Sequence, residues 1–141
     1  MEIKIAYGTA NIDWPSLCEL IRISPLGVRD PEKLKIAAEN SFVVCSAFME
    51  DEIVGFGRAL SDGQYQSAIY DVVVLPAYQK HGIGKLLVKT LLEKLPKEST
   101  ILIYVAPGKQ EFYEKLGFGH LKTGMGLFPN PERSRNNGYL L

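Results

Sequence analysis

The chain has 141 residues, the length of one ordinary domain, and with 46% hydrophobic and 23% charged residues it has a globular composition able to bury a core. Sixteen Lys and Arg balance sixteen Asp and Glu, which leaves no global electrostatic case for binding nucleic acid or a membrane surface. No apolar run reaches spanning length and the N-terminus lacks a signal pattern, so a cytoplasmic, soluble protein is the expectation.

Ile3 and Ile5 alternate with polar neighbours and predict a first strand. Asn11-Ile12-Asp13 offers a helix cap, Pro15 suits the first turn, and Leu17, Cys18, Leu20, Ile21 and Ile23 supply the apolar face. Ser24-Pro25-Leu26-Gly27 breaks that helix, and Asp30-Pro31 opens a second one carrying Leu34, Ile36, Ala37 and Ala38. The link Gly27-Val28-Arg29-Asp30 reads either as a connector or as the rim of a substrate mouth, with Arg29 as a substrate-binding candidate. Phe42–Phe48 predicts a strand, Glu50-Asp51-Glu52 a hairpin tip and Ile53–Leu60 the returning strand. After the turn Ser61-Asp62-Gly63, Ser67–Val74 is the next strand. A helix from Gly82 to Leu95 follows, and Ile101–Val105 predicts a fully buried strand parallel to Ser67–Val74. Lys109–Leu116 is a short helix stopped by Gly117. Phe118–Leu121 and Gly124–Phe128 are candidates for two last strands. The polar tail 129–138 is expected to be loosely ordered, with Tyr139-Leu140-Leu141 placed to dock back. Together these predict a single α/β domain, residues 1–141, with a mixed, mostly antiparallel sheet and helices on both faces.

The stretch Tyr70 to Leu87 organises the rest. Val72, Val73, Val74 and Leu75 form a β-branched, apolar run, read as a strand covered on both faces, and Pro76 ends it. Leu86, Leu87, Leu91, Leu92 and Leu95 then recur at helical spacing. The loop between carries Gly82 and Gly84, and the exposed N–H groups of a helix start make it an anion site. A dinucleotide fingerprint would need glycine at Leu87, and a phosphate-binding P-loop would need Ser or Thr at Leu86 and glycine at Gln79. What remains is Gln79-x-x-Gly82-x-Gly84 after a valine-rich strand.

That loop resembles the pyrophosphate loop of the GCN5-related N-acetyltransferase (GNAT) family, in which Gln/Arg-x-x-Gly-x-Gly/Ala holds acetyl-CoA. Phe112-Tyr113-Glu114-Lys115-Leu116-Gly117-Phe118 resembles the Tyr-x-x-x-Gly-Phe ending of the family's last core helix. Gly55–Asp62 followed by Tyr70–Val74 is most similar to plant plastid members of the serotonin N-acetyltransferase type. The resemblance implies a twisted GNAT sheet with a central parallel βαβ unit that binds acetyl-CoA. It implies that main-chain groups of Val72, Val73 and Val74 take the pantetheine arm, one N–H serving as oxyanion donor. It places the pyrophosphate on the N–H groups of Gln79, Lys80, His81, Gly82, Ile83, Gly84 and Lys85. Tyr113 becomes the general acid that protonates the departing thiolate; the alternative is a tyrosine that only anchors its helix. Phe112 and Lys109 fall near the cofactor, Phe112 also reading as core and Lys109 also as a solvated lysine that could otherwise meet the adenosine phosphate. The family often has Asn shortly after the last parallel strand; here Ala106-Pro107-Gly108-Lys109 stands instead.

Asp71 is a charge in a strand that otherwise looks buried. It reads as the base that takes the amine proton, as an anchor for a cationic substrate, or as a structural acceptor for Arg58 or loop N–H groups. Alternation places it on the face of Ile69 and Val73, opposite Tyr70. Tyr70 and Tyr104 are groove-lining candidates, with core or rim packing as the alternative. Cys18 and Cys45 read as reduced core thiols, and His81 and His120 have no partner at ligand spacing, so no metal is expected. The function expected is acetyl-CoA-dependent N-acetyltransfer to a small primary amine, an arylalkylamine or polyamine. A protein lysine or N-terminal amine, or a non-catalytic acyl-CoA sensing module, is the alternative. A homodimer through a sheet edge or the segment from Gly124 stays open.

Overall fold

In the computed structural model, residues 2–141 are described, and the chain divides into two compact units, one ending at Ile103 and the other spanning Tyr104–Leu141. The first unit contains β1 (Ile3–Tyr7), α1 (Trp14–Ile23), α2 (Pro31–Glu39), β2 (Val43–Met49), β3 (Glu52–Ser61), β4 (Gln66–Val74), α3 (Ile83–Lys94) and β5 (Thr100–Leu102). Its sheet runs β1-β2-β3-β4-β5, antiparallel until β5, which lies parallel to β4.

The helix starts follow from the local sequence. Asp13 accepts from Ser16 N at 3.0 Å and Asp30 from Lys33 N at 3.0 Å, each filling an orphan donor, and each is followed by Pro in the first turn. α1 and α2 bury Leu17, Leu20, Ile21, Leu34 and Ala38 against Val44, Ile53, Phe56 and Val73 of the sheet. Ile23 and Ile36, apolar by spacing, stay 41% and 54% exposed. The opposite face belongs to α3, which buries Ile83, Leu87, Val88 and Leu91 while Leu86 is 43% exposed. That helix approaches closely because β3 carries glycine beneath it. A Cβ on Gly55 would stand 2.9 Å from Leu87 Cδ1, and one on Gly57 3.0 Å from Leu91 Cδ1.

Two features of β4 differ from the alternation read in the sequence. Arg58 faces Tyr70 and Phe56 faces Val73, so Asp71 and Val72 together oppose Gly57: a β-bulge. Asp71 takes φ +57°, in the left-handed region. The extra residue resets the parity. Tyr70 and Val73, three apart, share the face of Arg58 and Phe56, and Asp71 is directed to Arg58 on that face rather than to the face of Ile69.

The second feature is the length of β5. It pairs only Thr100, Ile101 and Leu102 with Gln66, Ser67 and Ala68. Ser67 Oγ ties this end together, 2.8 Å from Ser99 Oγ and 3.0 Å from Ser61 Oγ. From Ile69 to Val74, β4 has no strand neighbour on that side among the described residues. The strand expected at Ile101–Val105, fully buried, is therefore a three-residue edge with Leu102 42% exposed. The run Val72–Leu75, expected to be covered on both faces, is fully buried only at Val73.

The second unit holds α4 (Gln110–Glu114) and α5 (Pro131–Asn136). Gly117, at φ +97°, ends α4's last turn as expected, with Phe118 N donating to Tyr113 O at 3.1 Å. Neither 118–121 nor 124–128 forms a strand. Glycines interrupt both stretches, and Met125 and Leu127 remain 100% and 98% exposed. Within the polar tail, Asn130 caps α5 by accepting from Arg133 N at 3.1 Å. Tyr139 docks back, its ring meeting Tyr104 edge-on at 5.9 Å.

Candidate active site

The site in the first unit starts at the open side of β4. Leu75 N donates to Val54 O at 2.8 Å, and Val74 stands opposite Gly55. This register turns the N–H and C=O of Val73 and Leu75 toward β3 and those of Val74 away, to the side without a strand. Val74 O accepts from Gln79 Nε2 at 3.0 Å and from Ser24 Oγ at 3.3 Å. Val72 lies in the bulge, where the ladder is interrupted. Of the three valines expected to present main chain to a ligand, Val72 and Val74 stand where they can, whereas Val73 spends its groups on β3.

Past Val74, Pro76–Tyr78 make one 3-10 turn and the chain enters α3 through Lys80 at φ +67° and Gly82 at φ +82°. Gly82 is the N-cap residue and has no side chain to cap with. Leu86 N, bonded to Gly82 O at 3.0 Å, is the first α3 amide with an intrahelical acceptor. The amides of Ile83, Gly84 and Lys85 are left as the orphan donors of the helix start, at the positive end of its dipole. Nothing would meet a Cβ within 4 Å of Gly82, so the backbone lies open there. His81 and Lys85 are exposed beside it.

Asp71 sits at the centre of an ionic knot. Its Oδ2 accepts from Arg58 Nε at 2.8 Å and its Oδ1 from Arg29 Nη2 at 3.1 Å. The carboxylate side chain is 7% exposed, against 16% for Arg58 and 34% for Arg29. Arg58 also donates to Ser41 Oγ at 3.3 Å and lies 5.5 Å over the Tyr70 ring. Of the readings open for Asp71, the structural acceptor for Arg58 is thus realised, with a second guanidinium added from the α1–α2 link. Ser24, Ser41 and the Arg29 contact have no signal in the sequence, because their partners lie 50, 17 and 42 residues away.

In the second unit Tyr113 is buried at 9% exposure, edge-on to Phe112 at 4.9 Å and to Phe118 at 5.7 Å. Burial pushes its phenol up to about 12. Phe112 is half-buried and Lys109 is exposed at the N-cap of α4. Tyr104, 59% exposed, belongs to an aromatic group with Phe128 and Tyr139. Among the described residues, no cluster of His, Cys, Asp or Glu could hold a metal, and no helix is long and apolar enough to cross a membrane.

Comparison with known proteins converges on one family. The Acetyltransferase (GNAT) family profile matches residues 8–118. An uncharacterized N-acetyltransferase, ycf52, from Gracilaria tenuistipitata var. liui is 41% identical over 64% of this chain and 54% of its own length. Serotonin N-acetyltransferase 2, chloroplastic, from Oryza sativa subsp. japonica is 35% identical over 81% of this chain and 60% of its own. The chain therefore spans little more than half the length of these relatives. Among solved structures, a probable acetyltransferase from meticillin-resistant Staphylococcus aureus superposes with a TM-score of 0.82 at 19% identity, covering 92% of this chain and 99% of that one. This last likeness bears on the fold.

Proposed function

The chain belongs to the GNAT family of acetyltransferases, and from that premise we propose that it transfers the acetyl group of acetyl-CoA to a primary amine by direct attack in a ternary complex. The observation that carries this reading is the uncapped start of α3 beside the open edge of β4. Three orphan amides at a helix N-terminus, with glycine at the cap, fit a pyrophosphate and have no protein acceptor to displace. A strand edge with Val74 N–H directed outward fits an extended amide-bearing arm, which would pair with it as an added strand.

When bound, acetyl-CoA supplies an acyl group activated as a thioester. The amides of Ile83, Gly84 and Lys85, with the loop from Gln79, hold its diphosphate; Val72 and Val74 align its arm; Lys109 and Phe112 serve the nucleotide end. Asp71 receives the acceptor, with Tyr70 and Arg29 beside it, and Tyr104 of the second unit remains a candidate for binding the same substrate. An amine arrives as ammonium and gives a proton to Asp71, directly or through water, before its nitrogen forms the new C–N bond. The C–S bond then breaks and Tyr113 O–H protonates the thiolate, the phenol regaining a proton from the amide nitrogen through solvent. A phenol at about 12 stays protonated throughout the neutral range. Passing its proton to a thiolate of ordinary pKa about 8.5 would run uphill by about 5 kcal/mol. The acid role therefore requires that the thiolate also form out of water, where its basicity rises.

The acceptor this site suits is a small cationic amine, an arylalkylamine or polyamine. The carboxylate of Asp71 supports the charge preference, and the name of the rice relative supports the class. Tyr113→Phe tests the mechanism. It should lower kcat about 100-fold or more, as loss of a general acid does, with acetyl-CoA affinity unchanged within a factor of about two. Full turnover at saturating substrates would remove Tyr113 as the acid.

A further inference from the structure

We propose that Arg29 is a specificity-determining latch, occupying on Asp71 Oδ1 the place that the ammonium group of an acceptor amine takes. The inference rests on the acetyl-transfer reading above. It starts from the inequality of the two carboxylate oxygens. Oδ2 belongs to Arg58, which is fixed in the middle of β3, bonded again to Ser41 Oγ at 3.3 Å and laid over the Tyr70 ring. Oδ1 belongs to Arg29, held at 3.1 Å through Nη2 alone, on the link between α1 and α2 and with a third of its side chain exposed. Displacing Arg58 would dismantle the face of the sheet. Displacing Arg29 asks that a half-buried side chain on a connecting link swing aside.

The exchange is selective by charge. Guanidinium and ammonium are both cationic donors and compete for one oxygen, so a cationic amine replaces what it removes. A neutral or anionic compound would leave a nearly buried carboxylate with a lost partner, which disfavours it. Asp71 lies in the bulge, within the segment Ile69–Val74 that has no strand neighbour on its far side among the described residues, and is next in sequence to Val72, one of the residues proposed to align the thioester arm.

Gly27 is the second element of the device. A Cβ there would collide with Arg29 Nη1, so the bare glycine is what allows the guanidinium to lie in its present position. Gly27 also holds φ +157°, a backbone that alanine takes up only with strain, so Gly27→Ala shifts the link together with the guanidinium and should loosen the latch without removing its charge.

The experiment is steady-state thiol release at saturating acetyl-CoA, with spermidine, tryptamine and a lysine peptide as acceptors, on the wild type, Arg29→Ala, Gly27→Ala and Arg29→Lys. For the best acceptor, the amine KM should fall about threefold or more in Arg29→Ala and Gly27→Ala, and return to within about twofold of wild type in Arg29→Lys. The KM for acetyl-CoA should not move. Structural damage lowers the active fraction, and so kcat, but does not lower an amine KM. An amine KM that is unchanged or raised in Arg29→Ala overturns the latch, because Arg29 is then indifferent to the amine or binds it directly. If the wild type releases no thiol with any of the three, acetyl transfer to amines has failed and the latch fails with it, a pattern distinct from an altered KM in a working enzyme.

Discussion

Asp71 combines a left-handed backbone with a nearly buried charge, two costs that persist only where the surroundings hold them in place. What holds them is mainly Arg58. Arg58→Ala would strip Asp71 of its shorter ion pair and leave Ser41 and Tyr70 without their cation. The expected loss is about 3–5 kcal/mol of unfolding free energy, the range for breaking a buried pair from one side, measured by urea denaturation. A loss below about 1 kcal/mol would mean that solvent shields the carboxylate. Asp71 was recognisable in the sequence as a charge out of place, and Arg58 as a candidate partner. The bulge was not recognisable, because it exists only when two residues of one strand are counted against one of another.

Tyr113 and Cys45 carry a prediction about alkaline pH. Burial pushes both acids up to about 12, from ordinary values of 10.0 and 9.0. Unfolded, each releases its proton near its ordinary value; folded, each keeps it until about 12. Between those values the native state binds more protons than the unfolded state, so stability is complete below about pH 9 and falls as pH rises toward 12. Thermal unfolding should show a Tm that is level through neutral pH and declines above about pH 9. Tyr113→Phe should make the decline from pH 10 to 12 shallower. An unaltered slope in that variant would show that the phenol is hydrated.

At the scale of elements, the entry to α3 is the part most exposed to a simple test. Gly82 holds φ +82° with open space around its Cα, so Gly82→Ala meets no clash and only the backbone penalty. The expected cost is about 1 kcal/mol of stability, read as a lowered urea midpoint. Acetyl-CoA affinity should fall with it, since the orphan amides of Ile83, Gly84 and Lys85 depend on that turn. An unchanged affinity measured by calorimetry would place the diphosphate elsewhere. The strand, the turn and the helix were all legible, since valine, proline and glycine each act on their own local backbone. The termini of α1, α2 and α4 were legible for the same reason: Asp13, Asp30 and Gly117 act within one turn.

Elements that depend on distant partners were not. Ile101–Val105 has a β composition, but only Ile101 and Leu102 of it pair with β4, together with Thr100 at the end tied by Ser67 and Ser99, and no strand pairing among the described residues joins the rest. The stretches 118–121 and 124–128 were candidates for two last strands, yet neither forms a strand. In the tail, the polar composition of 129–138 pointed to loose order, whereas Asn130 caps a short helix with Pro131 in its first turn. A six-residue helix with no buried residue has little apolar signal to offer.

At the scale of the molecule, the family match runs from residue 8 to residue 118 and draws on both compact units. The loop from Gln79 to Lys85 lies in one and Tyr113 in the other. The central claim is that these parts serve one reaction, acetyl transfer from acetyl-CoA to an amine. The most direct test is release of free thiol from acetyl-CoA, followed with and without arylalkylamines, polyamines and lysine peptides. Release should depend on the amine, saturate in both substrates and be lost in Tyr113→Phe. Acetyl-CoA that binds yet yields no thiol with any of these amines would contradict it, and would leave the loop at the head of α3 as an acyl-CoA binding site without a transferase.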